Sequence, residues 1–163
     1  MRRGTFILSL DVELMWGWRK ELEQACAVER AHIIDQLLRL FVQFDVPATW
    51  FIVGHLFLDR CSALNGLKHP EILPPTAEWF NRDPCGDERT NPDLYGRTLV
   101  DKIRSCPVPQ EIGCHSFSHV VFPECSRETA RGEIAECVRL ATKLGIDMRS
   151  FAFPYNRVAH QIC

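Results

Sequence analysis

The stretch 28-VERAHIIDQLLRLFVQFDVPATWFIVG-54 carries two hydrophobic rhythms joined by a stop. In its first part Ile33, Ile34, Leu37, Leu38, Leu40, Phe41 and Phe44 recur at helical spacing. Asp45 and Pro47 close that helix, since proline has no amide to continue it. The apolar run 48-ATWFIVG-54 that follows reads as a strand ended by Gly54. A helix that hands the chain to a strand is half of a β/α unit, and the flanking sequence repeats it.

Upstream, 5-TFILSL-10 is apolar and β-favouring and stops at the acids Asp11 and Glu13, as a buried first strand would. Downstream, a helix is predicted through 96-GRTLVDKIRS-105 and a short third strand at 110-QEIGC-114. The segment 126-SRETARGEIAECVRLATKLG-145 is a helix with end signals, Ser126 as N-cap and Gly145 as the terminating glycine. A fourth strand is expected at 150-SFAFP-154. Between Cys61 and Tyr95 the proline-rich, mixed-charge sequence reads as a long loop or a set of short helices, a kind of segment that often carries function.

This alternation specifies an α/β fold of parallel β/α units with right-handed crossovers. In such folds polar groups of a site collect at the carboxyl ends of the strands. Asp11 and Glu13 follow strand one, His115 and His119 follow strand three, and Pro154, Tyr155, Asn156 and Arg157 follow strand four.

The 163 residues suit a single domain with its own core. A hydrophobic share of 46% and a charged share of 25% are those of a globular protein, and a net charge of −2 makes no electrostatic case for nucleic acid or an anionic membrane. The N-terminal arginines and apolar run are too short for a signal peptide, and no stretch approaches the ~20 apolar residues of a membrane span. The expectation is a cytoplasmic chain. Its eight cysteines form no C-x-x-C pair, which argues against a zinc ribbon or a thioredoxin-type site and for reduced thiols packed as small apolar residues. Cys114, beside His115, is the one cysteine placed to serve as a soft metal ligand.

His115 and His119 stand four apart in 112-IGCHSFSHVVF-122. Alone, such a pair is weak evidence, because one helical turn would bring any two residues at that spacing together. With carboxylates at the same sheet edge, two imidazoles and one acid make a three-ligand metal site that leaves a position open for water or substrate. In a regular strand Asp11 and Glu13 point to one face, so one can ligate while the other acts as base.

At these residues the chain resembles the polysaccharide deacetylase, or NodB-homology, family. An acidic pair after strand one is matched by Asp11 and Glu13, an H-S-x-x-H motif by 115-HSFSH-119, and a Pro-Tyr motif after a strand by 153-FPYN-156; 46-VPATWFIVGHLF-57 is similar to the family's second strand. The resemblance implies a distorted (β/α) barrel of fewer than eight strands and a divalent metal, zinc first, with cobalt or manganese as substitutes. It implies hydrolysis of acetyl groups from N-acetylated sugars. Asp11 would be the catalytic base, His115 and His119 metal ligands, and the Tyr155 backbone N–H an oxyanion donor. The family's usual third ligand directly follows the base. Here that residue is Val12, and Glu13 takes the role. An arginine the family often carries before the motif-three proline is replaced by Ala152, with Arg157 as a substitute from another direction.

The family also has later strands bearing a histidine that protonates the leaving amine. His160, so close to motif three, does not fill that role, and the chain reads as a single domain over 1–163 with its C-terminal strands missing. A fragment, a partner-completed domain and a degenerate copy all fit, and an unpaired sheet edge at strand four would invite self-association. Two other functions stay open: a cyclic amide hydrolase of the allantoinase-like branch, and an inactive glycan-binding remnant. Trp16, Trp18 and Trp79 are candidates to stack on sugar rings.

Overall fold

A computed structural model describes residues 4–17, 26–61 and 63–158, with the side chains of 26–31 also outside the description. Trp18, His160 and Cys163 lie outside the described residues. Strands β1 (Ser9–Val12), β2 (Ala48–Ile52) and β3 (Gln110–Cys114) form a parallel sheet in the order β1-β2-β3. Helix α1 (Cys26–Phe44) joins the first two strands; α2 (Arg97–Arg104) precedes β3 and α3 (Arg127–Lys143) follows it. The chain is therefore α/β with parallel strands, as the alternation predicts.

Each element has a local cause. On α1, Ile34 and Phe41 are buried two turns apart, whereas Ile33, Leu40 and Phe44 point to solvent. Asp45, at φ 52°, reverses the chain, and the Val46 N–H reaches back to the Phe41 carbonyl at 2.9 Å. In the central strand β2, Ala48, Trp50 and Ile52 face the core and Trp50 Nε1 donates to Gln110 Oε1 at 2.7 Å. Leu99, Val100 and Ile103 bury one face of α2. Helix α3 starts at Ser126, whose Oγ accepts from the Thr129 N–H at 3.0 Å, and ends before Gly145 at φ 69°. A cap of this kind is worth ~1 kcal/mol.

The ends of the sheet depart from expectation. The first strand begins at Ser9 rather than Thr5, and it is an edge strand with only Val12 buried; Phe6 and Ile7 are exposed. Its apolar run is long enough for a strand, but pairing with β2 starts only at Ser9. The fourth strand shrinks to one parallel bridge, Cys114↔Phe151, closed by Cys114 N to Ser150 O (2.9 Å) and Ala152 N to Cys114 O (3.0 Å). Barrel closure is not seen among the described residues.

The register matters for function. Val12 pairs with Ile52 and Ile52 with Cys114, so the chain leaves all three strands at one level. Glu13, Val53 and His115 therefore start their loops side by side, and the Phe151 bridge brings 152–157 to the same edge. The first two loops after β2 and β3 are tied together, since the Gly54 and His55 N–H groups donate to Ser116 O (2.8 Å) and Phe117 O (2.9 Å). Gly54 is needed there, because a Cβ would sit 2.9 Å from Cys137 Sγ on α3.

Candidate metal centre

Glu13 follows β1 directly, and its Oε1 lies 3.1 Å from His115 Nε2 and 2.9 Å from His119 Nε2. The two imidazole centroids are 5.0 Å apart. No helix makes this pair. The segment after β3 turns through left-handed Ser116 (φ 61°) and His119 (φ 60°), and Ser116 Oγ accepts from the His119 N–H at 3.0 Å. Ser118, between the histidines, is anchored to α3: its N–H and Oγ donate to the buried Glu133 carboxylate at 2.7 and 2.5 Å.

His115 Nδ1 lies 2.9 Å from the Ala152 carbonyl, which accepts its hydrogen, so Nε2 is turned toward Glu13. Orientation of this kind is how proteins aim an imidazole at a cation. His119 Nδ1 is buried without a hydrogen-bond partner among the described residues. Burial lowers the pKa of His119, against Glu13, which raises it. For Glu13 burial works upward, but the hydrogen bonds with both histidines prevail and its pKa falls to about 2. Two imidazoles and an ionised carboxylate converging on one point, all three ligand atoms within 4.8 Å of one another, fit a divalent cation. Gly17 makes room for the acid, since a Cβ there would come 1.7 Å from Glu13 Oε2.

Asp11 lies on the same face of β1 as Glu13, half exposed, with Oδ2 3.9 Å from His115 Nε2. Tyr155 occupies a left-handed turn (φ 59°) over Pro154–Asn156, and its ring packs edge-on against His119 at 4.6 Å. Arg157 goes elsewhere. Its Nη1 meets Glu124 Oε1 at 2.5 Å on the surface, and among the described contacts none joins it to Asp11. Cys114 is buried in β3 with Cys137 as its thiol neighbour and belongs to no ligand cluster among the described residues. Trp16 is fully buried, with Nε1 donating to Leu94 O at 3.0 Å, and offers no face to a sugar. Trp79 is half-buried against Ser118 Oγ, 2.7 Å away.

Sequence reasoning missed Arg82. Its guanidinium lies 4.7 Å over the Trp16 ring and donates to Trp16 O at 3.0 Å, and its charge adds to the lowering of the His119 pKa. It sits in the long segment after Cys61, where no motif marks it.

Residues 29–163 match the family described as polysaccharide deacetylase, and the chain belongs to that family. Asp11 and Glu13 precede the matched segment, so it is the fold that brings them to the histidines. No curated protein matches the chain. Among solved structures, a family-4 carbohydrate esterase (CE4) pseudoenzyme from Bacillus anthracis aligns at TM-score 0.55 and 17% identity, over 96% of this chain and 37% of that one. The peptidoglycan deacetylase PdaC from Bacillus subtilis aligns at 0.52 and 15%, over 96% and 52%. A family 4 carbohydrate esterase from Streptomyces lividans, in complex with acetate, aligns at 0.52 and 15%, over 98% and 55%. These likenesses establish a shared fold, and the chain spans between 37% and 55% of the three structures. No helix among the described residues is long and apolar enough to cross a membrane.

Proposed function

We propose that the chain is a metal-dependent amide hydrolase that removes acetyl groups from N-acetylated sugars in a glycan. The observation that carries this reading is Glu13 Oε1 within 3.1 Å of both imidazole Nε2 atoms, with the accessible Asp11 carboxylate beside them. Glu13, His115 and His119 would hold the cation, with zinc preferred for two imidazoles and a carboxylate and cobalt or manganese able to substitute. A cation there supplies Lewis-acid polarisation of the acetamide carbonyl. Asp11 takes a proton from the attacking water as its oxygen bonds to the acyl carbon. The Tyr155 backbone N–H donates to the oxygen of that carbon as it becomes tetrahedral. The C–N bond then breaks, acetate leaves, and the amine receives the proton.

Membership of the polysaccharide deacetylase family and the likeness to a peptidoglycan deacetylase and a carbohydrate esterase support a glycan over a cyclic amide. The test is acetate release from chitin-type oligosaccharides and peptidoglycan fragments, with and without added zinc or cobalt. Metal-dependent release, lost in His115→Ala, is the expected result. A protein that binds zinc at these residues yet releases no acetate from either substrate would overturn it.

A further inference from the structure

We propose that His55, Cys61, His69 and Asp83 form a second metal site, a closed four-ligand zinc site that pins the segment between β2 and α2 to the sheet. It is separate from the Glu13 cluster and does not rest on the deacetylase reading. One ligand atom from each of the four residues lies within 4.8 Å of all the others. His69 Nε2 and His55 Nε2 are 2.7 and 3.1 Å from Asp83 Oδ2, and Cys61 Sγ is 3.5 Å from His69 Nε2. Bonds of ~2.0–2.3 Å to one tetrahedral cation place ligand atoms roughly 3.3–3.7 Å apart, so the two His–Asp83 contacts need open by only about half an ångström and the Cys61–His69 contact already fits. Two imidazoles, a thiolate and a carboxylate are all ligands that zinc accepts.

Three observations go beyond proximity. His55 Nδ1 lies 2.9 Å from the Leu94 carbonyl, so the hydrogen sits on Nδ1 and a neutral ring turns its Nε2 lone pair toward Asp83 Oδ2. Two acceptors facing each other in full burial repel. A cation shared between them removes the conflict, whereas a protonated ring would leave a buried ion pair with its desolvation cost. The Asp83 carboxylate is already oriented. Its Oδ1 accepts from the Tyr95 hydroxyl and the Cys85 N–H, both at 2.9 Å, which leaves Oδ2 for a ligand. Finally, His69 and Cys85 hold left-handed backbone at φ 51° and 53°, a conformation that persists where the surroundings demand it.

Burial sets the role. The side chains of His55 and Asp83 are 0% exposed and that of His69 7%, Cys61 alone is partly exposed, and four protein ligands fill a tetrahedral shell, so the site is structural. It also reaches the other centre. Asp83 adjoins Arg82, which caps Trp16; the Trp16 ring is 4.4 Å from His55, and both rings donate to the same Leu94 carbonyl. The second metal therefore holds Arg82 and Trp16 against the loop that carries Glu13.

The test uses the whole chain, reduced and loaded with zinc or with cobalt(II). Elemental analysis should find two zinc equivalents in the wild type and one each in the His115→Ala/His119→Ala and Asp83→Asn proteins. The cobalt(II) form should show a thiolate-to-metal charge-transfer band in the near ultraviolet. That band should survive His115→Ala/His119→Ala and vanish in Cys61→Ser. A wild type with a single zinc equivalent that is lost in His115→Ala/His119→Ala would overturn the proposal, as would the absence of the band from wild-type cobalt protein or its survival in Cys61→Ser. Because the wild type is itself diagnostic, a variant that fails to fold cannot rescue the idea.

Discussion

The two ligand clusters use one device for different ends. In each, a histidine gives Nδ1–H to a backbone carbonyl, Ala152 for His115 and Leu94 for His55, and so aims Nε2 at a carboxylate. They differ in access. Asp11 and Glu13 are 47% and 27% exposed above buried histidines, whereas Asp83 and His55 are fully enclosed. A site with an open side can admit water and an acyl group, while an enclosed one can only hold the chain together. Backbone strain follows the same division of labour. Of nine non-glycine residues at positive φ among the described residues, Leu14, Ser116, His119, Tyr155 and Asn156 surround the open centre, and His69 and Cys85 the closed one. Each costs on the order of 1–3 kcal/mol, so the fold spends stability to place these ligands.

The contrast can be broken most directly at His115. His115→Ala should lower acetate release by roughly a thousandfold or more, since the lost cation supplies several kcal/mol of barrier stabilisation. One zinc equivalent should remain. Loss of both metals would show that the two centres are not independent. Asp11→Asn should cost on the order of 10²–10⁴ in kcat with metal content unchanged, which separates a base from a ligand. If zinc is lost together with activity, Asp11 belongs to the coordination set. Gly17→Ala forces a methyl against Glu13 Oε2 and should weaken zinc binding at the open centre by about 10–100-fold in a competition titration, leaving the closed centre intact.

A smaller effect lies in stability. Burial raises the pKa of Glu133, beneath Ser118, from 4.5 to about 7, even though hydrogen bonds from Ser118 pull it down. The folded state therefore binds this proton more tightly than the unfolded chain. Its stabilisation is complete below pH 4.5 and is lost as pH rises toward 7, by ~3 kcal/mol in all. Denaturant titrations between those pH values should show the decline, and Glu133→Gln should flatten it. The smallest effect is expected at Arg157. Its ion pair with Glu124 is half exposed on both sides, a type worth ~0–1 kcal/mol, and Arg157→Ala should leave kcat within about twofold. A loss of 100-fold would return Arg157 to the catalytic group.

Much of the open centre was legible because its marks are local. The H-S-x-x-H spacing, an acid pair ending a strand and a Pro-Tyr after another strand are short patterns, and the alternation of strands and helices puts all three at one edge. Glu13 as third ligand was what the resemblance implied with Val12 in the usual place, and strand periodicity favoured it; the structure puts Glu13 Oε1 within 3.1 Å of both imidazole Nε2 atoms. Arg157 was expected near Asp11 from its nearness to motif three, but nearness in sequence does not set the direction of a long side chain, and in the structure Arg157 pairs with Glu124 on the surface. Trp16 was misjudged because an aromatic near a site reads alike whether its face is buried or open.

By itself the sequence determined the α/β alternation, the caps at Ser126 and Gly145, and the paired histidines, since hydrophobic period and capping act within a few residues. Tertiary structure alone decided that β1 is an exposed edge, that the fourth strand is a single bridge, and that His55, Cys61, His69 and Asp83 meet. These outcomes depend on register and on loops closing over tens of residues, where the contacts that offset the closure entropy lie far apart along the chain and leave no periodic trace in it.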